Sequence, residues 1–517
     1  MKKQLLKLSI ACGLAIAATA SFAQKRYVDD IFTSVLKTSN IEYDTNRSIN
    51  ILYGAVPGQL PVITASLKCD VYTPPANDTV NKRPVVIVMS TGSYLPSIVN
   101  RQATGNKDDS AIVELCTRFA MKGYVAVAMD YRIGWNAASN VTQDATEQLL
   151  KATYRAIQDA RNCIRYIRSN ATMYGVDTSK IVVGGQGTGG YVALAFGSVD
   201  KKAEIESNLK FLRSDATPMV SVDTLGDWHG SAGVTFPAYP YTLNYGGDPA
   251  VSGNAHMTFN YGGAMGDLAW LEASTLPVVG LHVTTDIFAP YKTGNVVVPT
   301  TGITVIPNAS GAGDVIPKAN LVGANAKING VLYPDALSAR AMSLSGNVGG
   351  LYPLYTQVSV DGAPWEWWDR PTIQAKTVGM FYNMPVPANG RAADSLSFLT
   401  NPLMSAAKGR AYIDTVVNFV APRIAVQFDL VAYTPVGVKE EVSLTSQLSV
   451  YPNPAKTELN ISLPVAISNV TIVDMTGREI MKSTSTKLDV STLKQGLYFV
   501  NVKAVDGRSA VKRIVIE

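Results

Sequence analysis

Between residues 84 and 198 the sequence alternates short, continuous apolar runs with longer stretches of helical periodicity. The apolar runs are PVVIVMS (84–90), VAVAMD (125–130) and KIVVGG (180–185). The helical stretches cover residues 110–124, 146–170 and 189–198. Strands that are apolar along their whole length are buried on both faces. The alternation therefore predicts an α/β fold, in which helices cover both faces of a mostly parallel sheet.

Composition agrees with a large globular protein. The chain has 517 residues, of which 47% are hydrophobic and 16% are charged. A length of this order corresponds to roughly two to four domains. The formal net charge is only +5, so the sequence gives no support for a nucleic-acid partner.

Residues 1–23 have the pattern of a secretory signal peptide. A lysine-rich start precedes an apolar run from Leu5 to Ala18, and Ser21-Phe22-Ala23 has the small-x-small pattern of a cleavage site. Two alternatives are a membrane anchor, for which the apolar run is short, and lipidation of Cys12, for which the preceding residues are a poor match. We predict cleavage after Ala23 and passage through the periplasm.

Cysteine and histidine are too few to build a metal site or a disulfide framework. After cleavage three cysteines remain, Cys69, Cys116 and Cys163, so at most one bridge forms. We interpret Cys116 and Cys163 as small buried apolar residues. Three histidines share no ligand spacing with one another or with a cysteine: His229, His256 and His282. The sequence predicts no metal and no cofactor.

The mature chain divides into two parts of different character. Residues 24–430 carry the α/β pattern, and within them the Gly-, Tyr-, Asn- and Trp-rich segment at about 200–270 is predicted to be an insertion that lies over the sheet as a lid. After a linker at 431–447, residues 448–517 consist of short alternating strands separated by turns. That spacing predicts a small, separate β-sandwich.

Four motifs in the last 70 residues resemble the type A sorting domain of the type IX secretion system of Bacteroidetes. They are YPNPA (451–455), VDMTGREI (473–480), GLYFVNV (496–502) and VKRIVIE (511–517), in that order. The resemblance implies that residues 448–517 engage the type IX machinery. It also implies that the protein is released outside the cell or held at the outer cell surface.

The body resembles the α/β-hydrolase fold, and within it secreted carboxylesterase-like proteins. The matching segments, in chain order, are Arg83 to Ser93, GYVAVAMDYR (123–132), YRAIQDARNCIRY (154–166), GVDTSKIVVGGQGTGG (175–190) and LPVVGLHVTTDIFAPY (276–291). Such a protein carries a serine on a tight strand-to-helix turn, with a histidine base oriented by a carboxylate. The resemblance therefore assigns a place in this chain to each catalytic group.

The turn that should carry the serine is degenerate. It reads Gly185-Gln186-Gly187-Thr188-Gly189, so Gly187 stands at the nucleophile position of the G-x-S-x-G pattern. Without an attacking oxygen no acyl-enzyme forms. Thr188 is an alternative nucleophile, but it lies one position away from the tip of the turn.

The acid is present and the base is absent from its expected place. Asp286 lies where the family's triad carboxylate sits, although an aspartate that caps a loop is an alternative interpretation. The chain has no histidine after Asp286, and Gly362-Ala363-Pro364 falls about where the base turn is expected. His229, in the predicted lid, is a candidate base from outside the motif. We interpret His282 as buried structure. The oxyanion loop is also altered, because Ser90-Thr91-Gly92-Ser93 replaces the expected His-Gly-Gly.

Two functions follow from this pattern. The first is a non-catalytic pseudo-esterase, a binding or structural protein whose cleft takes a glycan, a polymer or a small ester through the aromatic residues Trp228, Trp365, Trp367 and Trp368. For the Trp cluster at 365–368, packing of the lid on the sheet is an alternative interpretation. The second function is an active carboxylesterase-type hydrolase of ester substrates that uses a relocated nucleophile and base.

Overall fold

The computed structural model describes residues 24–53, 60–97, 100–231, 233–235, 242–298, 301–435, 448–505 and 509–517. The predicted signal peptide and residues 436–447 of the predicted linker lie outside these residues. The backbone divides into two compact units, with the boundary between Thr434 and Pro435.

Eight strands form the main sheet of the first unit. They are β1 (Leu36–Ile49), β2 (Val62–Thr73), β3 (Arg83–Met89), β4 (Val125–Met129), β5 (Val176–Gln186), β6 (Met257–Tyr261), β7 (Val278–Val283) and β8 (Leu351–Leu354). Their order is β1-β2-β4-β3-β5-β6-β7-β8. Strand β2 is antiparallel to β1 and β4, and the remaining pairs are parallel. This sheet, with its helices, confirms the predicted α/β-hydrolase-like fold.

Among the residues that the structure describes, seven helices of ten or more residues accompany the sheet. They are α1 (Ser110–Met121), α2 (Thr142–Ser169), α3 (Thr188–Ser198), α4 (Ala312–Leu321), α5 (Ala336–Ser345), α6 (Gly390–Thr400) and α7 (Ala406–Gln427). The shorter helices are Ala171–Tyr174, Lys202–Glu206, Val222–Leu225, Ala326–Asn329 and Arg370–Ala375, and the 3-10 turns are Leu209–Phe211 and Leu268–Trp270. No helix of the described ranges is long and apolar enough to cross a membrane.

The core lies on both faces of the sheet because side chains along each strand alternate in direction. In β3, Val85, Ile87 and Met89 pack into one apolar cluster together with α2 and α3. Val86 and Val88 pack into the other cluster, together with α1 and α7. All seven residues of β3 are buried, as the sequence predicted for a strand covered on both faces.

Smaller antiparallel sheets decorate the first unit. One pairs Val234–Thr235 with Thr242–Asn244, and another pairs Val378–Phe381 with Met384–Pro387. A third has the order Thr293–Val297, Thr304–Gly311, Ala264–Met265.

The predicted insertion at about 200–270 is wrong at its C-terminal end, because β6 lies inside it. Strand β6 is buried at all five positions and lies between β5 and β7 in the sheet. Its sequence, MTFNY, contains polar Thr258 and Asn260, so it lacks the continuous apolar run that marks the other parallel strands. Asn260 is satisfied internally, since its side chain exchanges two hydrogen bonds with the backbone of Gly263.

The second unit is all β, as predicted. One sheet has the order Ser449–Tyr451, Glu458–Ser462, Lys487–Asp489. The other has the order Glu479–Ser483, Ile467–Asp474, Gly496–Ala504, Ser509–Ile516. Inward-facing residues of both sheets form one apolar core, which includes Leu459, Ile472, Val500 and Ile514.

Candidate functional site

The sharp turn between β5 and α3 has the backbone of a nucleophile elbow. Gly187 lies between the last residue of β5 and the first residue of α3, with φ 49° and ψ −112°. Residues with a side chain rarely adopt this region, and doing so costs on the order of 1–3 kcal/mol. Gly187 N–H donates to the Tyr261 carbonyl at 3.0 Å, which fixes the turn against the end of β6.

The glycines on either side of Gly187 are required by close packing. A Cβ on Gly185 would lie 2.1 Å from the carbonyl carbon of Gly189, and a Cβ on Gly189 would lie 2.3 Å from the Met89 carbonyl oxygen. At Gly187 the nearest atom is a side chain: a Cβ there would lie 2.4 Å from Thr91 Oγ1. The Thr91 hydroxyl therefore occupies the space above the tip of the turn.

The side chains next to Gly187 are used in structural hydrogen bonds. Thr188 Oγ1 accepts a hydrogen bond from Ser93 N–H at 2.9 Å, which ties the start of α3 to the altered oxyanion loop. Gln186 is 1% exposed and its Nε2 donates to the carboxyl of Glu366. Neither side chain points freely into solvent, so the structure gives neither the geometry of a nucleophile.

Asp286 follows β7, at the expected end of that strand, and is held by its own loop. Its Oδ1 accepts hydrogen bonds from Phe288 N–H at 2.7 Å and from Ala289 N–H at 3.1 Å. Its Oδ2 lies 3.5 Å from His282 Nε2. The carboxylate thus caps the loop, which is the alternative interpretation given for it above.

His282 is locked in the interior. It is fully buried, its Nδ1 accepts a hydrogen bond from Ala312 N–H at 3.3 Å, and its Nε2 lies 3.1 Å from the Ala289 carbonyl oxygen. A nitrogen that accepts from an N–H carries no hydrogen, so this geometry places a ring hydrogen on Nε2, towards the Ala289 carbonyl oxygen. Both ring nitrogens are occupied by backbone groups.

The segment predicted to replace the base turn does lie beside Asp286. A Cβ on Gly362 would lie 2.9 Å from Asp286 Oδ1. The ring of Trp365 packs against Gly262, where a Cβ would lie 3.0 Å from the ring and 3.7 Å from Asp286 Oδ2. Trp365 is 1% exposed, and its Nε1 has no hydrogen-bond partner among the described residues. An indole therefore stands next to the acid position.

Glu366 joins this segment to the elbow. Its Oε1 accepts from Gln186, and its Oε2 accepts from Thr104 Oγ1 at 3.0 Å. Burial of the carboxyl, followed by the nearby negative charge of Asp109, raises the pKa of Glu366 to about 8. Sequence reasoning did not identify Glu366. The available signal was its position among three tryptophans, which is typical of a carboxyl that is buried away from water.

His229 is placed elsewhere. Its ring packs on Trp228 with 5.3 Å between ring centroids, and burial followed by the charge of Arg161 lowers the pKa of His229. The adjoining Gly230 packs on Gln158 of α2. The part of the lid next to His229 thus packs on α2, and the structure does not bring His229 together with Gly187 and Asp286.

The predicted aromatic cleft is mostly interior. Trp367 and Trp368 are 9% and 7% exposed, and Trp368 Nε1 donates to Asp394 Oδ1 at 2.9 Å. Trp228 is partly buried against the α2 side of the core. Trp365, Trp367 and Trp368 are thus buried packing residues rather than an open stacking platform, whereas Trp228 is partly exposed.

One cluster of carboxylates among the described residues has metal-like spacing: Asp200, Glu204 and Glu272. Glu204 Oε2 already accepts from the backbone N–H groups of Asp200 and Lys201, and the Lys201 ammonium pairs with Glu272. The Lys201 ammonium therefore supplies the positive charge at this cluster. A groove of about 580 Å³ lies apart from the elbow, between Lys25, α5 and α7.

Comparison with known proteins gives two family matches. Residues 69–292 match the family model BD-FAE, and residues 449–517 match the secretion system C-terminal sorting domain. No curated protein matches the chain.

Solved structures of an esterase from the Planctomycetes species Thermogutta terrifontis resemble the chain loosely. The propionate-bound form is 17% identical over 58% of this chain and 82% of that chain, with a TM-score of 0.30. The native form is 18% identical over 56% and 77%, with a TM-score of 0.30. The form phosphonylated by cyclosarin is 17% identical over 64% and 86%, with a TM-score of 0.30.

The sheet order and the two family matches agree with each other and with the division into two units. The protein therefore has an α/β-hydrolase-like body and a C-terminal sorting domain that directs it through the type IX secretion system to the cell surface or beyond it.

Proposed function

We propose that this protein is a secreted or surface-exposed pseudo-esterase, which uses an α/β-hydrolase body for binding or structure and performs no ester hydrolysis. The observation that carries the proposal is Gly187 at the tip of an otherwise well-formed elbow. Covalent catalysis by this fold needs a side-chain oxygen at that point. Glycine supplies none.

The surroundings of the acid support the same conclusion. A triad base must accept the nucleophile's proton while the acid orients it. Beside Asp286 stand Gly362 and the Trp365 ring, neither of which accepts a proton. His282 contacts the carboxylate from the interior, where backbone groups occupy both of its nitrogens. Loss of nucleophile and base together removes about 10⁶-fold of turnover in serine hydrolases.

A binding role draws support from exposed apolar side chains around the acid. Ile287 and Phe288, directly after Asp286, are 56% and 40% exposed, and Tyr355, directly after β8, is 63% exposed. Both loops leave the carboxyl ends of parallel strands, so they lie at one edge of the sheet. A glycan, a polymer or a small ester is the ligand class that we propose for this edge.

The alternative, an active esterase with a relocated nucleophile, has one specific candidate. The Thr91 hydroxyl lies within 2.4 Å of the place of a Gly187 Cβ, close to where a serine oxygen would stand. No base contacts it among the described residues, so we rank this function second.

The test treats the full secreted chain with p-nitrophenyl acyl esters and with a fluorophosphonate probe, beside a Thr91→Val variant and an active serine esterase. We expect no turnover above the buffer rate and no covalent label while circular dichroism reports a folded protein. Turnover with a label on the peptide that contains Thr91, both lost in Thr91→Val, would overturn the proposal in favour of the alternative. A label on any other residue would overturn it as well.

A further inference from the structure

Three separate parts of the first unit meet at one carboxyl group. Glu366 belongs to the segment between β8 and the helix Arg370–Ala375. It accepts hydrogen bonds from Gln186, at the end of β5, and from Thr104, in the loop before α1. Neighbouring Asn401 donates to the backbone carbonyls of Ala363 and Glu366 from the far side of the segment. Glu366 is therefore the side-chain link between the elbow and the tryptophan-rich segment.

The charged groups nearest in effect to Glu366 are the carboxyls of Asp109 and Asp361. Asp109 Oδ2 accepts from Gly105 N–H at 2.5 Å and from Asn106 N–H at 2.9 Å, and burial raises the pKa of Asp109 to about 7. Asp361 pairs with Lys408 of α7 at 2.5 Å. Within the described ranges no lysine or arginine forms an ion pair with Glu366. The Tyr261 hydroxyl, on β6, also faces Glu366, and burial raises the pKa of Tyr261 well above its usual range.

The acid form of Glu366 has a partner for its proton. Gln186 Oε1 is buried and has no hydrogen-bond partner among the described residues, while the Nε2 of the same amide already donates to Glu366. A carboxylic acid and a primary amide can exchange two hydrogen bonds, one in each direction. The carboxylate has no proton to give, so Gln186 Oε1 stays unsatisfied when Glu366 is ionised.

We propose that Glu366 is a pH-responsive clasp: as a carboxylic acid it holds residues 363–369 against the elbow, and loss of its proton to solvent releases them. The clasp holds the tryptophan-rich segment beside Asp286, next to the sheet edge proposed above as the ligand site, and it rests on that proposed function for its biological use. The physical basis is linkage. An open state, in which the carboxyl is hydrated, has the ordinary pKa of 4.5, whereas the closed state has a pKa of about 8. Rising pH therefore favours the open state throughout that interval.

The experiment is amide hydrogen exchange of the full chain, followed by mass spectrometry, from pH 6 to pH 9.5. Rates are corrected for intrinsic base catalysis, and peptides from β7 serve as the internal reference. We expect the protection factor of residues 363–369 to fall about tenfold per pH unit up to about pH 8 and then to level off. Protection that is independent of pH in the unmodified chain overturns the proposal.

Three variants separate the clasp from a general loosening. Glu366→Gln can still exchange two hydrogen bonds with the Gln186 amide but has no ionisable group. The protection of residues 363–369 in this variant should therefore not change with pH. If the variant shows the full wild-type slope, the proposal is overturned. Asp109→Asn removes a like charge and should move the levelling-off point to lower pH. Thr104→Val removes one donor and should lower protection at every pH without changing the slope.

The clasp and the proposed function fail in different ways. Ester turnover in the test of the proposed function would contradict the pseudo-esterase proposal and would not affect the hydrogen-exchange result. If the protein does not hydrolyse esters and the protection factor of residues 363–369 is independent of pH, only the clasp proposal is contradicted.

Discussion

The Thr91 hydroxyl oxygen lies 2.4 Å from the point where a Cβ on Gly187 would stand. The space above the elbow is thus filled from the neighbouring loop and not from the turn itself. The shape of the turn is preserved by Gly185 and Gly189, which pack directly on backbone atoms. Elbow geometry and the ability to carry a nucleophile are therefore separate properties of this fold.

Placing a serine at the tip of the turn should destabilise the protein rather than activate it. Gly187→Ser places a side chain at φ 49° and against Thr91, and the strained backbone alone costs about 1–3 kcal/mol. We expect a loss of that order in the free energy of unfolding, measured by urea denaturation, and no gain in hydrolysis of p-nitrophenyl acetate.

The matched control adds Thr91→Ala. The double variant Gly187→Ser/Thr91→Ala should recover part of the lost stability, because the contact at 2.4 Å is removed while the backbone strain remains. Strictly additive effects of the two substitutions would show that Thr91 does not occupy the nucleophile space.

The buried pair between Arg132 and Asp159 should be a major determinant of stability. Both side chains are 0% exposed, and the Asp159 carboxylate accepts from Arg132 Nε and from Arg132 N–H, each at 2.7 Å. Asp159→Asn leaves a buried guanidinium without its counter-charge, so we expect a loss of about 3–5 kcal/mol in the free energy of unfolding.

An exposed pair provides the comparison. Lys327 and Asp429 also form an ion pair at 2.7 Å, but their side chains are 45% and 80% exposed. Asp429→Asn should change the free energy of unfolding by less than about 1 kcal/mol. If the two substitutions had equal effects, burial would not be the reason for the strength of the Arg132 pair.

Acid should weaken the attachment of the N-terminal segment through Asp78. Its carboxylate accepts from Arg26 Nη2 at 2.6 Å and from Arg83 Nε at 2.8 Å. Burial acts in the opposite direction, but these hydrogen bonds lower the pKa of Asp78 to about 2. A lowered folded-state pKa gives stability that is complete above the unfolded value of 3.8 and is lost as the pH falls towards 2.

The measurement is urea unfolding at several pH values between 5 and 2, for the wild type and for Asp78→Asn. The wild type should lose stability across this interval more steeply than the variant, and the two curves should converge at the acidic end. Parallel curves would mean that Asp78 titrates with the same pKa in the folded and unfolded states.

Export should depend on the second unit. Because residues 449–517 form the sorting domain, a chain that ends at Thr434 should accumulate in the periplasm of a host with an active type IX system. The full chain in the same host should reach the cell surface or the medium, and immunoblots of the fractions distinguish the two. Equal export of both chains would show that the body carries its own signal.

Much of the fold was predictable because it depends on local pattern. Strands β3, β4 and β5 and helices α1, α2 and α3 lie within a few residues of their predicted ranges, since their burial on both faces leaves a continuous apolar signal. Strands β6 and β8 were missed. Each is five residues or fewer, and β6 carries Asn260 while β8 carries Pro353, so neighbouring strands rather than local sequence define them.

Motif order along the chain locates some residues of the candidate site, whereas others are found only through contacts in space. The position of Gly187, Asp286 and Gly362 followed from motif order along the chain. The roles of Thr91, Trp365 and Glu366 did not, because each depends on a contact with a residue distant in sequence. The separation between Glu366 and its donor Gln186 is 180 residues, for example. Contacts between residues so far apart in the chain produce no periodic pattern in a single sequence, so they could not be predicted from it.

The contact between Thr91 and the turn also constrains how this protein could change over evolution. A serine at 187 is tolerated best beside a smaller residue at 91, whereas a smaller residue at 91 beside Gly187 leaves an unfilled space. Each single step therefore leaves either a steric contact or an unfilled space, whereas the pair of changes removes both and leaves only the backbone strain at position 187. A histidine beside Asp286 would need a separate substitution, at Gly362 or Trp365. Positions 91 and 187 are therefore coupled, and a serine at 187 is accommodated together with a change at 91 rather than alone.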